Sequence, residues 1–224
     1  DRRGLAAFDP GNARSRDEAV GITLGLSLDV LREAERDRLS ELALFPEDLD
    51  IPLAAVELLW RQTAGIDEID AEDLLCRLFA LSLLLDLDLA GRTVRLHDMI
   101  RDWLRRGLGD DGLTKLHRAL VAGYRELCAG DWHELADDGY AFQHLPGHLS
   151  AIDEAVWRDL LLDPRWMARK LERVSLAALI GDYRHSEDEG LRLIGEALRL
   201  SAHALGHDPA QLPAQLCGRL GAVE

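Results

Sequence analysis

The sequence is short of the features that mark membrane and disulfide-rich proteins. No apolar run reaches the roughly 18 to 20 residues that a bilayer-spanning helix requires, and no basic start precedes an apolar stretch as in a secretory signal. The three cysteines are widely spaced and form no CxxC pair. This spacing argues against a disulfide scaffold or a zinc knuckle and fits a reducing compartment, so we expect a cytoplasmic protein.

Positive charge is also scarce. The chain has 26 lysines and arginines against 41 aspartates and glutamates, which gives a formal net charge of −15. Such a surface repels phosphate backbones and anionic lipid, so we predict neither a nucleic-acid nor a membrane partner. Arginine greatly outnumbers lysine, because the lysines are Lys115 and Lys170 alone. This bias is typical of GC-rich bacterial genomes.

No complete phosphate-binding loop is present. Gly107 and Gly112 precede Lys115 in a faint likeness to such a loop. The motif requires the lysine directly after the second glycine, and it requires a strand before the loop. Here the lysine comes two residues late and the loop follows a predicted helix, so the likeness carries no prediction of nucleotide binding.

Catalytic and metal-binding patterns are missing as well. His144 and His148 are four residues apart, but we expect Pro146-Gly147 to break the helix that would align them, and no HExxH pattern occurs. No nucleophile–base pairing is visible either. We therefore predict no catalytic residue, no metal site and no enzymatic activity for this chain, although folding could assemble an unfamiliar site.

What the first half contains is a series of helical patterns. Residues 1–14, rich in Gly, Pro, Asn and Arg, resemble a linker. The capping box of Ser15 and Glu18 predicts the start of a helix, and the helices that follow should end near Phe45-Pro46 and at Gly65. Asp70 is predicted to cap the next one.

A short β-hairpin is predicted after these helices. The apolar run Leu81–Leu85 and the alternating residues Thr93–Leu96 flank a turn at Ala90-Gly91. Another helix should follow from Asp98 to about Arg106. Helices followed by a small hairpin are the pattern of a winged helix-turn-helix domain.

The second half is predicted to be helical throughout. The glycine-rich stretch Gly107–Gly112 is the clearest internal break. The predicted helices after it lie near 113–129, 140–149, 151–162, 164–182 and 186–206. The fold class that we predict is therefore mainly α, with a winged-helix domain and its small β-hairpin followed by an all-helical domain.

The first half resembles the winged-helix domain of NB-ARC proteins, which are signalling ATPases of the STAND class. The resemblance lies in the stretch Leu39–Pro52, in Ala71-Glu-Asp-Leu-Leu, in Leu81-Ser-Leu-Leu and in Val94-Arg-Leu-His-Asp98. The last of these is similar to the family's MHD motif, with Leu96 in place of Met.

The second half is similar to the helical domain of the apoptotic protease-activating factor branch of this family. The matching stretches are Leu116–Tyr124, Tyr140-Ala-Phe-Gln-His-Leu and Asp163–Lys170. In that branch a WD-repeat propeller follows. The domains that this resemblance implies are a linker from a preceding domain (1–15), a winged-helix domain (16–110), a helical domain (111–210) and a tail leading to a missing domain (211–224).

The resemblance also implies a role for individual residues. In the family, the motif histidine lies against the β-phosphate of bound ADP and keeps the protein closed, and His97 matches it. Ser82 matches a hydroxyl near the same nucleotide. From spacing alone, the sequence favours an ordinary surface or core histidine at a strand end for His97, and Asp98 could simply cap the following helix.

The function implied is that of a regulatory module in a nucleotide-switched signalling NTPase. It would pack on a nucleotide-binding domain outside this sequence, sense ADP through Leu96-His97-Asp98 and connect to a C-terminal repeat domain of the same chain. The resemblance implies no cofactor in this fragment, ADP or ATP in the full-length parent, and a homo-oligomer of the parent when it is activated.

The alternative is a DNA-binding winged-helix regulator. Such domains insert one helix into the major groove. The candidate helix carries only Arg77 against five acidic residues, and that charge is wrong for a surface facing phosphates. The acidic residues are Asp67, Glu68, Asp70, Glu72 and Asp73.

Overall fold

The computed structural model describes residues 27–184 and 186–221. The chain divides into two compact units, with the division between Ala119 and Leu120. Both units are mainly helical, and the first also contains a small three-stranded antiparallel sheet. The predicted fold class, mainly α with a small β-hairpin, is therefore confirmed. The capping box predicted at Ser15 and Glu18 lies outside the described residues. Among the described residues, no helix combines the length and the apolar character needed to span a bilayer.

The first unit is built from helices packed around the small sheet. In chain order its elements are α1 (Glu33–Glu41), a 3-10 turn (Leu42–Leu44), β1 (Ile51–Pro52), α2 (Leu53–Ala64), α3 (Glu68–Ala80), β2 (Asp86–Asp88), β3 (Thr93–Arg95) and α4 (Asp98–Leu127), the last of which continues past Ala119.

The core of this unit surrounds the indole of Trp60. The ring is fully buried, and its Nε1–H donates to the carbonyl oxygen of Arg38 at 3.2 Å, which joins α2 to α1. As predicted, Gly65 ends α2, in the left-handed conformation that glycine adopts without steric cost. The predicted cap of α3 was wrong. Asp67 is the cap, because its carboxylate accepts from the backbone N–H of Asp70 at 2.9 Å.

The sheet has the strand order β1-β3-β2, with both pairs antiparallel. Val94 in the centre of β3 is buried, whereas its neighbours Thr93 and Arg95 are half-buried, as expected for a strand with one face on the core. The hairpin prediction is confirmed, but its first strand lies at Asp86–Asp88 and not in the apolar run before it. Leu83 and Leu84 of that run are core residues in the turn after α3.

The glycine-rich stretch between 107 and 112 interrupts the helix less than predicted. The backbone leaves helical angles only at Gly109, where φ is 62° and ψ is 178°, and helical structure resumes directly afterwards. A single residue in a conformation that favours glycine is enough to separate the two helical parts of α4.

The second unit contains helices and 3-10 turns and, among the described residues, no strand. After α4 its elements are a 3-10 turn (Trp132–Glu134), α5 (Ala141–Ser150), α6 (Glu154–Leu162), α7 (Pro164–Arg173), α8 (Leu176–Asp182), α9 (Glu189–Leu200), α10 (Ala202–His207), a 3-10 turn (Pro209–Gln211) and α11 (Leu212–Leu220).

Two predicted long helices are each divided in the structure. The stretch 164–182 forms α7 and α8, because Ser175 begins a new helix by accepting the backbone N–H of Ala178 at 3.1 Å. The stretch 186–206 is likewise interrupted, at Ser201. Conversely, the predicted break at Pro146 does not occur. Pro146 lies within α5, whose buried apolar side chains anchor the helix despite the missing N–H.

The core of the second unit is a cluster of leucines with Met167 and Tyr183, drawn from α6 to α11. Leu212, at the start of α11, is buried in this cluster, so the beginning of the predicted tail packs as a helix on the same core.

A buried ion pair lies between α7 and α8. Lys170 is fully buried, and its Nζ donates to Asp182 at 2.8 Å. Burial raises the pKa of the Asp182 carboxyl to about 6, although Lys170 opposes the shift, and burial lowers the pKa of Lys170.

Candidate functional site

His97 lies exposed between β3 and α4. Its carbonyl oxygen accepts the backbone N–H of Arg101 at 2.9 Å, which makes His97 the N-cap residue of α4. Its ring also takes part in the cap, because Nδ1 accepts the backbone N–H of Met99 at a long 3.4 Å. The ring is therefore held by its own helix.

This cap determines which ring nitrogen can act as a donor. A ring nitrogen that accepts a hydrogen bond carries no proton, so the neutral imidazole of His97 must carry its hydrogen on Nε2. No hydrogen bond joins Nε2 to any residue of 27–184 or 186–221. The exposed edge of the ring thus presents one N–H donor, next to the positive end of the α4 dipole.

Asp98 does not occupy the cap position that the sequence suggested for it. It is the first residue of α4, and its Oδ1 lies 3.5 Å from the backbone nitrogen of Asp48. The capping alternative for Asp98 is wrong, because the cap position belongs to His97. Leu96, the preceding motif residue, is buried and anchors the motif in the core of the first unit.

Ser82 follows the C-terminus of α3 in a left-handed conformation, with φ at 57°. Its N–H donates to the carbonyl of Phe79 at 2.9 Å, and the N–H of Leu83 donates to the carbonyl of Leu78 at 3.0 Å. This is the Schellman arrangement, in which glycine is the usual residue. The Ser82 side chain is exposed, and its hydroxyl bonds to none of the described residues.

The hairpin brings Ser82 and His97 to the same end of the sheet. The N–H of Leu85 donates to the carbonyl of Arg95 at 2.8 Å, which extends the pairing of β2 and β3 away from the hairpin turn. Ser82 precedes this pair and His97 follows it. The two residues taken from the resemblance, separate in sequence, therefore flank the open end of one hairpin.

Two arginines of α4 hold its start in place. Nε of Arg101 donates to the carbonyl of Phe45 at 2.6 Å, and a guanidinium N–H of Arg105 donates to the carbonyl of Ala43 at 3.0 Å. Both carbonyls lie at the end of the 3-10 turn that follows α1, where helical carbonyls lack internal partners. These bonds fix the N-terminus of α4 and with it His97.

Arg92 fixes the other end of the hairpin. It lies in the turn with φ at 53°, and its carbonyl oxygen accepts the first N–H of α2, from Leu53, at 2.9 Å. Its guanidinium pairs with Glu57 of α2 at 2.6 Å and with Glu68 and Glu72 of α3 at 3.0 and 2.5 Å. We call Arg92, Glu57, Glu68 and Glu72 the Arg92 cluster.

The Arg92 cluster gives two of the acidic residues of α3, Glu68 and Glu72, a structural role. Among the described residues, its three carboxylates are near enough to one another to hold a cation, and the guanidinium occupies that position. Burial raises the pKa of Glu57, and Arg92 opposes the shift. Sequence reasoning missed this cluster, because its members come from three elements and follow no local spacing.

The other candidate residues from the sequence lie within helices. Lys115 lies within α4, so the glycines before it form no phosphate loop. His144 and His148 lie on the unbroken α5, where both contact Tyr140: the ring of His144 stacks on it, and Nε2 of His148 lies 2.7 Å from its hydroxyl. Burial, with the nearby Lys170, lowers the pKa of His144 to about 4.

The comparisons with known proteins agree with the resemblance read from the sequence. Residues 113–214 match the family of the APAF-1 helical domain. The chain is 28% identical to human apoptotic protease-activating factor 1 over 206 aligned residues, which cover 86% of this chain and 16% of the human protein. The mouse protein is 27% identical over the same length.

A plant protein matches as well. A probable disease resistance protein of Arabidopsis thaliana is 31% identical over 149 residues, which cover 60% of this chain and 18% of that protein. The chain thus spans less than a fifth of the length of each of these curated relatives.

We predict that Arg92→Ala destabilises the chain more at neutral than at acid pH. Because burial raises the pKa of Glu57, folding favours the protonated form of this carboxyl. Its contribution to stability is present at acid pH and is lost as the pH rises through the pKa that Glu57 has in the folded chain. Removing Arg92 raises this pKa further. The Arg92 side chain is 42% exposed, so solvent screening limits the loss at neutral pH to about 1–2 kcal/mol.

The measurement is urea unfolding of the variant and the parent chain at acid and neutral pH. Arg95→Ala is the matched control, because Arg95 lies on the same hairpin and pairs with the exposed Asp50. It should lose less than about 1 kcal/mol at either pH. An equal loss for Arg92→Ala at both pH values would contradict the role assigned to Glu57.

We also predict that Ser82→Gly stabilises the chain. Glycine adopts the left-handed conformation without the steric cost that serine bears, and part of this gain is offset by the greater freedom of glycine in the unfolded chain. The expected gain is about 0.5–1 kcal/mol in the free energy of unfolding. Ser82→Ala keeps the steric cost and should give no gain. If glycine destabilises the chain, the backbone at this position is not strained.

Proposed function

We propose that this chain is a regulatory module of a nucleotide-switched signalling ATPase. The proposal starts from its homology to apoptotic protease-activating factor 1 and to a plant disease resistance protein, and from the match of residues 113–214 to the APAF-1 helical domain. The first unit would act as a winged-helix domain that packs on a nucleotide-binding domain. There, the Leu96-His97-Asp98 motif would sense bound ADP.

The observation that supports this proposal is the free Nε2–H of His97. A ring donor held at a helix N-terminus suits a phosphate oxygen, because the helix dipole adds a favourable field for negative charge. The cap favours one orientation of the ring before any ligand arrives, which reduces the side-chain entropy lost on binding. At the same end of the hairpin, Ser82 offers a hydroxyl that bonds to none of the described residues.

The expected contribution of this contact is large enough for a switch. A hydrogen bond to a charged group contributes about 1.5–3 kcal/mol, which corresponds to roughly tenfold to more than a hundredfold in ADP affinity. Losing the contact would release the first unit from the nucleotide-binding domain and shift the population toward an open state. In this proposal the open state of the parent forms a homo-oligomer.

The remaining parts of the proposal concern the longer protein. It would bind ADP and ATP, whereas this chain supplies the sensing residue and no phosphate loop. The APAF-1 helical domain would connect the switch to a C-terminal sensor, which we propose to be a WD-repeat domain by analogy with the branch that this half resembles. We expect the protein to act in the cytoplasm.

His97→Asp tests the proposal in the longer protein. Aspartate is a good N-cap, so the start of α4 should be preserved, but it cannot donate to a phosphate and it adds negative charge. We predict that bound ADP dissociates at least about tenfold faster from this variant, as measured by release of a fluorescent ADP analogue.

His97→Asn is the matched control for this experiment. Asparagine also caps helices and retains an N–H donor, so its ADP release should lie between that of the parent and that of His97→Asp. Unchanged ADP release from His97→Asp, in a variant whose stability equals that of the parent, would refute the assignment of His97.

A further inference from the structure

The second unit contains a half-open groove of about 250 Å³ between α8 and α9. Its lining includes the half-buried Ile180 and the buried Tyr183. The side chains that line it also include three arginines and a single acid: Arg184, Arg192, Arg199 and Glu196. The groove thus combines apolar and positively charged lining residues.

A glycine sets the shape of this groove. A Cβ atom on Gly195 would lie 2.8 Å from Cβ of Tyr183, closer than such atoms approach in proteins, so glycine alone allows α9 to lie this near. Tyr183 cannot easily shift, because its hydroxyl donates to the carbonyl of Leu161 at 2.7 Å. Arg192 and Arg199 are seven residues apart on α9 and therefore share its face along the groove.

These arginines lack the close ionic partners that several other basic side chains of the second unit have. Four basic groups elsewhere in this unit are paired with acids: Arg158 with Asp188, Arg165 with Asp163, Arg169 with Glu172 and Lys170 with Asp182. By contrast, the side chains of Arg184 and Arg192 bond to none of the residues that the structure describes. Arg199 has one exposed contact, with Glu196 at 3.8 Å.

The chain has many acidic residues that could have paired with these arginines. It carries a net charge of −15, yet three arginines line one groove with a single glutamate. Guanidinium groups in one groove repel one another, and an external anion removes that repulsion. The planar fork of arginine also matches a carboxylate, to which it can make two parallel hydrogen bonds.

We propose that the groove between α8 and α9 binds an acidic peptide segment of a partner protein. Aspartate or glutamate side chains of that segment pair with Arg184, Arg192 and Arg199, and an apolar side chain between them contacts Ile180. Ile180 in the lining favours a peptide over a free phosphate, which would leave this apolar side chain without a partner. This site is independent of the nucleotide contact proposed for His97.

The test uses the purified chain and two labelled peptides. In one peptide glutamate alternates with leucine, and in the other glutamine replaces every glutamate. Fluorescence anisotropy should show that the glutamate peptide binds and that the glutamine peptide does not. Arg192→Glu should weaken that binding at least about tenfold, because it replaces an attraction by a repulsion.

Arg173→Glu is the matched control. Arg173 is an exposed arginine of α7 that lies outside the groove and bonds to none of the described side chains, and the substitution changes the net charge equally. It should bind the glutamate peptide like the parent chain. Arg199→Glu provides a second groove variant, and circular dichroism establishes that each variant is folded.

Three results would overturn the proposal. Equal weakening by Arg192→Glu and Arg173→Glu would show general attraction of charge, with no defined groove. Binding of the glutamine peptide as tightly as the glutamate peptide would show that the arginines are not needed. Binding of inorganic phosphate that displaces the glutamate peptide and depends on Arg192 would identify a phosphate site instead.

Discussion

The position of the candidate site depends on the ion pairs of Arg92. Its carbonyl oxygen meets the first N–H of α2, and its guanidinium holds the carboxylates of α2 and α3 in the Arg92 cluster. These bonds fix the hairpin at its turn, and β3 then runs directly from the turn to His97. At the other end, Arg101 and Arg105 fix the start of α4. The backbone at His97 is therefore fixed from both sides by arginines that do not take part in the proposed phosphate contact.

His97 and Ser82 are both unusual choices for the helix ends that they occupy. Serine, threonine, aspartate and asparagine are the preferred N-cap residues, and glycine is the preferred residue after a helix in the left-handed conformation. Residues that depart from such local preferences concentrate at functional sites, where the side chain serves another purpose. Here both departures occur at one end of one hairpin. The Nε2–H of His97 and the hydroxyl of Ser82 each have no hydrogen-bond partner among the described residues. The proposed nucleotide contact gives both side chains such a purpose.

Local signals in the sequence predicted most helices and the hairpin, because periodicity and turn residues act within a few positions. They failed where two neighbouring signals competed, as at the cap of α3, where Asp67 and Asp70 are both suitable. They also failed at Pro146, where packing outweighs the local preference of proline. The Arg92 cluster could not be predicted, since its residues meet only in the folded chain. The sequence resemblance identified His97 and Ser82, but the ring orientation of His97 required the geometry of the cap.

The orientation of the His97 ring can be measured directly by long-range ¹H–¹⁵N correlation on the ¹⁵N-labelled chain, with His97→Asn identifying the signals. In the neutral ring, we expect an unprotonated Nδ1 that accepts the Met99 N–H and a proton on Nε2. A proton on Nδ1 would contradict this expectation, because the ring could then neither cap α4 nor present the donor on which phosphate sensing depends.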